Sequence, residues 1–161
     1  MTDPVPITLT VNGEQVAASV LPRLHLADFL RDHLALTGTH LGCEHGVCGA
    51  CTLLLDGAIV RGCLVLAVQA DGGVVESIEG LSDRGAIAVL QAAFIARNAL
   101  QCGFCTPGML MAAQDFLTRQ GGGVPDRTAI RDHLSGNYCR CTGYQAIVDA
   151  VETVARARAG R

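Results

Sequence analysis

The sequence predicts an α+β protein, a small mixed sheet crossed by one helix and then an all-helical bundle of four, and three observations predict it. Short β-type runs flank Asn12-Gly13 and Asp56-Gly57, dipeptides suited to the positive φ angles of tight hairpin turns. From residue 81 onward apolar residues recur at helical spacing. Half of the 161 residues are apolar, but only 4% are aromatic and tryptophan is absent, so the interior has to be built from Ala, Val, Leu and Ile. Two such small cores benefit from an added staple.

In chain order, VPITLTV (5–11) and EQVAASV (14–20) form the first hairpin. HLADFLRDHLAL (25–36) sets Leu26, Phe29, Leu30, His33 and Leu34 at helical spacing, with the glycine of TGT just past its end. Residues 37–51 show almost no periodicity. TLLLDGAIV (52–60) reads as a second hairpin, followed by a short apolar piece around CLVLAVQ and a strand at VVESI (74–78). Four helices follow. They cover AIAVLQAAFIARNAL (86–100), PGMLMAAQDFLTRQ (107–120), PDRTAIRDHLSG (125–136) and Gln145 to Ala159. Thr106 is placed to cap the second and Pro107 to open it, while Gly121, Gly122 and Gly123 end it. In the fourth, Ile147, Val151 and Val154 share one face. The boundary falls near 80–85, giving domains 1–80 and 81–161.

Composition narrows the function. The net charge is −3 and the arginines are scattered, so no basic stripe can neutralise a phosphate backbone, which excludes nucleic acid as a partner. MTDPVPITLT shows no basic leader, and no later run reaches the roughly 18–20 apolar residues of a membrane span. A soluble, cytoplasmic protein is expected. In that reducing setting the eight cysteines point to metal rather than to disulfides.

Cys43, Cys48, Cys51 and Cys63 form C-x4-C-x2-C with a fourth cysteine further on, the plant-type spacing for a [2Fe-2S] cluster. Three thiolates must converge from one loop, which therefore needs many turns and little side-chain bulk. Gly42, Gly46 and Gly49 meet that need, allowing positive φ and bringing N–H groups near the sulfurs. A structural zinc site is the competing reading, but zinc frameworks usually present two short knuckles. Cys102, Cys105, Cys139 and Cys141 form a second set, C-x2-C and then C-x-C. On ligand count alone this set suits zinc as well as iron. Both pairs precede predicted helices, whose positive N-terminal ends favour an anionic group.

Together, GCEHGVCGACT (42–52) with Cys63, QCGFCTPGM (101–109) and GNYCRCTGY (136–144) resemble the iron–sulfur small subunit of the molybdenum hydroxylases, the xanthine oxidase and carbon monoxide dehydrogenase family. The resemblance covers nearly the whole chain and departs at none of the eight cysteines. It implies a ferredoxin-like (β-grasp) domain followed by a four-helix domain, each with one [2Fe-2S] cluster. It also implies partners: a large molybdopterin (Mo) subunit and a medium FAD subunit, in a heterotrimer or its dimer. Electrons would pass from molybdenum to the helical-domain cluster, then to the ferredoxin-like cluster, then to FAD. Gln101 would contact the pterin. The alternative is a free-standing two-cluster electron carrier, and a third reading is a zinc-stabilised interaction module.

Other residues have plainer readings. His45 is expected to face solvent, because a Rieske-type centre needs two histidines in place of two cysteines. Arg140, between two cysteines, either stabilises the charge of a cluster, contacts a partner or is a plain surface residue. Phe104 and Tyr138 flank the second set and either exclude water or simply pack. Met109 and Met111 read as core. No His–acid pair is identifiable beside a cysteine to make it a nucleophile.

Overall fold

The structure, a computed structural model, describes residues 3–160; the outermost positions of the two expected domains, 1, 2 and 161, lie outside them. The first hairpin forms as the turn chemistry requires. β1 (Val5–Val11) and β2 (Glu14–Val20) pair antiparallel, with Asn12 and Gly13 at φ 53° and 91°. β3 (Thr52–Leu55) and β4 (Ala58–Arg61) make the second hairpin around Asp56 and Gly57, at φ 51° and 75°. β5 (Val74–Glu76) runs parallel to β1 and antiparallel to β3, which joins both hairpins into one sheet of order β2-β1-β5-β3-β4.

Alternation along β1 buries Ile7, Leu9 and Val11 on one face. The segment crossing that face is shorter than its apolar pattern suggests. Instead of one helix over 25–36, α1 (Leu26–Asp28) passes into a wider π-type turn, Phe29–His33, and the chain turns back at Ala35, φ 56°. Leu36 N–H then closes onto Leu30 C=O at 2.9 Å, a bond that a continuing α-helix does not make. Leu26, Phe29 and Leu30 are fully buried and His33 is exposed, while Leu34 and Leu36 still pack against the same cluster from outside the helix. The apolar piece after β4 is a 3₁₀ turn, Ala67–Ala70, and the last strand stops at Glu76 because Ser77 caps a helix.

That helix, α2 (Ile78–Asp83), was not expected from the sequence. α3 (Ala88–Ala96), α5 (Arg127–Leu134) and α6 (Gln145–Ala159) fall within the predicted helical stretches, and α4 (Thr106–Arg119) starts one residue before its own. The cap of α4 is Cys105 rather than Thr106, which is already helical, and Pro107 lies in the first turn. α4 is the central helix, buried from Gly108 through Ala113 and again at Phe116 and Leu117. Met109 and Met111 are core, as expected. Arg127 ties α5 to α6 through Asp149 and Glu152. Glu152 sits below the usual carboxylate range because of Arg156 first and then Arg127.

Two apolar clusters result. One, between the sheet and α1, includes Leu9, Phe29, Leu30, Leu53 and Val75. The other, among the helices, includes Phe94, Met109, Ile130, Ile147 and Val151. Where they adjoin, α4 presses on the loop before β3, and a Cβ on Gly108 would stand 2.3 Å from Gly49 C=O. Gly108→Ala is therefore expected to lower the unfolding free energy by about 1–3 kcal/mol, the usual cost of overpacking, measured by denaturant titration of the loaded protein.

Candidate metal centres

The first thiol set is built on the irregular loop between α1 and β3 and on the turn after β4. Gly46 and Gly49 adopt φ 76° and 75°, as their placement between cysteines suggested. Gly42 does not; its role is space, since a Cβ there would lie 3.2 Å from Cys48 Sγ and 3.6 Å from the Phe104 ring. The other positive φ in the loop falls to Glu44, at 54°. This winding aims the His45 and Cys48 N–H groups at Cys43 Sγ, at 3.4 and 3.3 Å. The Cys48 N–H, then that of His45, bring the Cys43 thiol down to about 6. Burial has the opposite effect on Cys51, pushed up to about 11. Cys51 and Cys63 are both buried and pack with Ala27.

The second set joins the segment before α4 to the segment before α6. Cys102 and Cys141 are exposed at the surface, while Cys139 is buried and Cys105 partly so. Burial, reinforced by the Cys139 thiol, pushes Cys105 up to about 12. Burial is the largest influence on Cys139 and works against its ionisation, but the Thr142 hydroxyl and N–H, donating to its Sγ at 3.0 and 3.4 Å, together with the Cys141 N–H and the Cys105 thiol, make the net shift downward. The Tyr144 hydroxyl accepts the Cys139 N–H at 2.9 Å, and Tyr144 is held at φ 69°, a costly conformation for an aromatic residue. Thr142 and Tyr144 were not singled out from the sequence. Their place directly after the C-x-C pair was the signal available.

In both sets the thiols fall in pairs. Cys43 contacts Cys48, Cys51 contacts Cys63, Cys105 contacts Cys139, and the Sγ atoms of Cys102 and Cys141 are 3.6 Å apart. Two thiolates bonded at about 2.3 Å to one tetrahedral metal stand roughly 3.8 Å apart. Among the described residues no three His, Cys, Asp or Glu side chains gather around one ion. Two pairs per set suit a two-metal core that takes two thiolates at each metal, so the donor set fits a [2Fe-2S] group.

The flanking residues divide. His45 and Arg140 are exposed. Phe104 and Tyr138 are 49% and 54% exposed, so neither seals its site from water. Phe104 instead stacks on His40 with ring centroids 4.8 Å apart, and His40 Nδ1 lies 2.8 Å from Phe104 C=O. Gln101 is exposed and donates from Nε2 to Cys141 C=O at 3.0 Å, so it shares an open edge with Cys102 and Cys141.

Comparison with known proteins agrees with two separate centres. A family of 2Fe-2S iron-sulfur cluster binding domains matches residues 9–76, and a family of [2Fe-2S] binding domains matches residues 77–152. The chain is 52% identical over 149 residues to the caffeine dehydrogenase subunit gamma of Pseudomonas sp. (strain CBB1), covering 92% of this chain and 89% of that one. It is 54% identical over 149 residues to the nicotine 6-hydroxylase small subunit of Paenarthrobacter nicotinovorans, covering 92% and 88%. Among solved structures, a chain of quinoline 2-oxidoreductase from Pseudomonas putida 86 superposes with a TM-score of 0.90 at 49% identity, covering 98% of this chain and 97% of that one.

Iron and sulfide loading should give about four irons per chain, and Cys51→Ser or Cys105→Ser should each reduce this to about two with loss of one EPR signal. A colourless protein holding zinc would contradict the assignment.

Proposed function

The chain belongs to the iron–sulfur small subunits of the molybdenum hydroxylases, the xanthine oxidase and carbon monoxide dehydrogenase family, and from that premise we propose that it carries electrons from a molybdopterin site in a large subunit to FAD in a medium subunit. The carrying observation is the pair of thiol sets, four cysteines each, on segments that touch one another. Cys43, Cys48, Cys51 and Cys63 would hold one [2Fe-2S] group, and Cys102, Cys105, Cys139 and Cys141 the other. Such a group supplies uptake and release of one electron at a time, at a potential set by its surroundings.

The chain's own residues prepare each site. The His45 and Cys48 N–H groups at Cys43, and the Thr142 hydroxyl and N–H at Cys139, set positive dipole ends against sulfur and favour thiolate. Burial of Cys51 and Cys139 keeps part of each donor set away from water. The open edge formed by Gln101, Cys102 and Cys141 suits docking of the large subunit, with Gln101 presented to the pterin. Electrons then enter at the helical set and leave from the set at Cys43.

This reading takes residues 1–80 as a ferredoxin-like domain and 81–161 as a four-helix domain. It is supported by one apolar cluster within the sheet and one among the helices, and by family matches that meet between residues 76 and 77. The complex is a heterotrimer or its dimer, placed in the cytoplasm, where reducing conditions keep eight cysteines free for metal. Among the described residues no helix is long and apolar enough to cross a membrane.

Purified from its native source, the chain is expected to bring with it a molybdenum protein and a flavoprotein; recovery as a loaded monomer would favour a free-standing carrier. In the complex, Cys102→Ser should block electron entry from molybdenum and Cys48→Ser should block exit to FAD. Stopped-flow bleaching with substrate separates the two, and wild-type turnover in either variant would defeat the serial path.

A further inference from the structure

The two thiol sets are joined by a buried polar knot. Tyr138 N–H donates to Cys48 C=O at 2.8 Å, and Tyr138 directly precedes Cys139. One hydrogen bond thus spans from a residue of the first set to the neighbour of a residue of the second. Side chains add to it: Asn137 Nδ2 bonds Gly49 C=O, and Phe104, between Cys102 and Cys105, stacks on His40 and lies beside Gly42.

Around that hydrogen bond three side chains interlock. Asn137, 2% exposed, donates from Nδ2 to Gly49 C=O and to Thr52 Oγ1, each at 3.0 Å. The Thr52 hydroxyl donates to Gly49 C=O at 2.6 Å. The Arg61 guanidinium donates to Thr52 Oγ1, to Gly136 C=O at 2.7 Å and to Asn137 Oδ1 at 3.3 Å. No slack is left, since a Cβ on Gly49 would meet Gly136 C=O at 2.5 Å and one on Gly136 would meet Arg61 Nη2 at 2.6 Å. Among the described residues every buried side-chain N and O atom has a partner. An apolar filling could join the two halves at lower desolvation cost. A fully satisfied polar network instead fixes one geometry.

We propose that Asn137 and Arg61 are positioning residues for electron transfer between the two sets, holding the Cys48 C=O···H–N Tyr138 hydrogen bond closed so that it couples them. The inference rests on the [2Fe-2S] assignment above. In the step concerned, one electron leaves the centre at Cys102, Cys105, Cys139 and Cys141, which is oxidised, and enters the centre at Cys43, Cys48, Cys51 and Cys63, which is reduced. No bond breaks and no proton moves.

The test uses the assembled complex with Asn137→Ala and, separately, Arg61→Lys, which keeps the charge but loses the fork. Iron content and the g-values of each singly reduced centre should match wild type. In the fully reduced protein, the splitting of each EPR signal by the other should narrow or vanish, and electron passage from the second set to the first should slow. A merely structural role would lower Tm while leaving splitting and passage rate unchanged, and that result in both variants overturns the proposal. If Asn137→Ala does not assemble, Arg61→Lys decides by the same two readings. Absence of two signals in the wild-type complex would instead defeat the cluster assignment itself.

Discussion

The close approach of three backbone segments around Gly49 is the constraint on which the rest of this molecule depends. Gly49 belongs to the first cysteine loop, Gly108 to the first turns of α4, and Gly136 to the segment leading to Cys139. A Cβ on any of them would meet a neighbouring atom at 2.6 Å or less. Because none carries a side chain, β3, α4 and the second cysteine segment share one seat. Both thiol sets are anchored to it, and the Asn137 and Arg61 side chains close the remaining space between their segments.

That seat also explains the uneven electrostatics of the thiols. Cys43, which receives two N–H groups, is held low, while Cys51 and Cys105 are pushed up by burial. Low dielectric opposes a lone thiolate, but it strengthens the attraction between a thiolate and a bound cation. The sites that disfavour free thiolates are therefore well suited to hold them against iron. Exposure is asymmetric too: the helical set opens outward at Cys102 and Cys141, whereas the first set is buried at Cys51 and Cys63.

Much of this was legible in local patterns. Asn12-Gly13 and Asp56-Gly57 mark both hairpins because only a few residue types tolerate consecutive positive φ. α6 spans the predicted Gln145–Ala159, since its apolar stripe at Ile147, Val151 and Val154 runs its length. The helix expected over 25–36 ends early in a π-type turn and a reversal at Ala35, yet Leu34 and Leu36 reach the sheet cluster all the same, so the apolar spacing reported burial rather than helix length. Gly42 was read as a turn residue, yet it serves to admit Cys48 Sγ and the Phe104 ring. Tyr138 and Phe104 are half open, which no local pattern records.

By itself the sequence determined the two cysteine sets, their order and the turns that shape them, because ligand spacing and turn chemistry act within a few neighbouring residues. Only the tertiary structure decided which thiols pair, as Cys102 does with Cys141 across 39 positions, and that Arg61 reaches Asn137 across 76. Those contacts depend on how the sheet and helices pack, and packing brings together residues whose distance along the chain carries no trace of it.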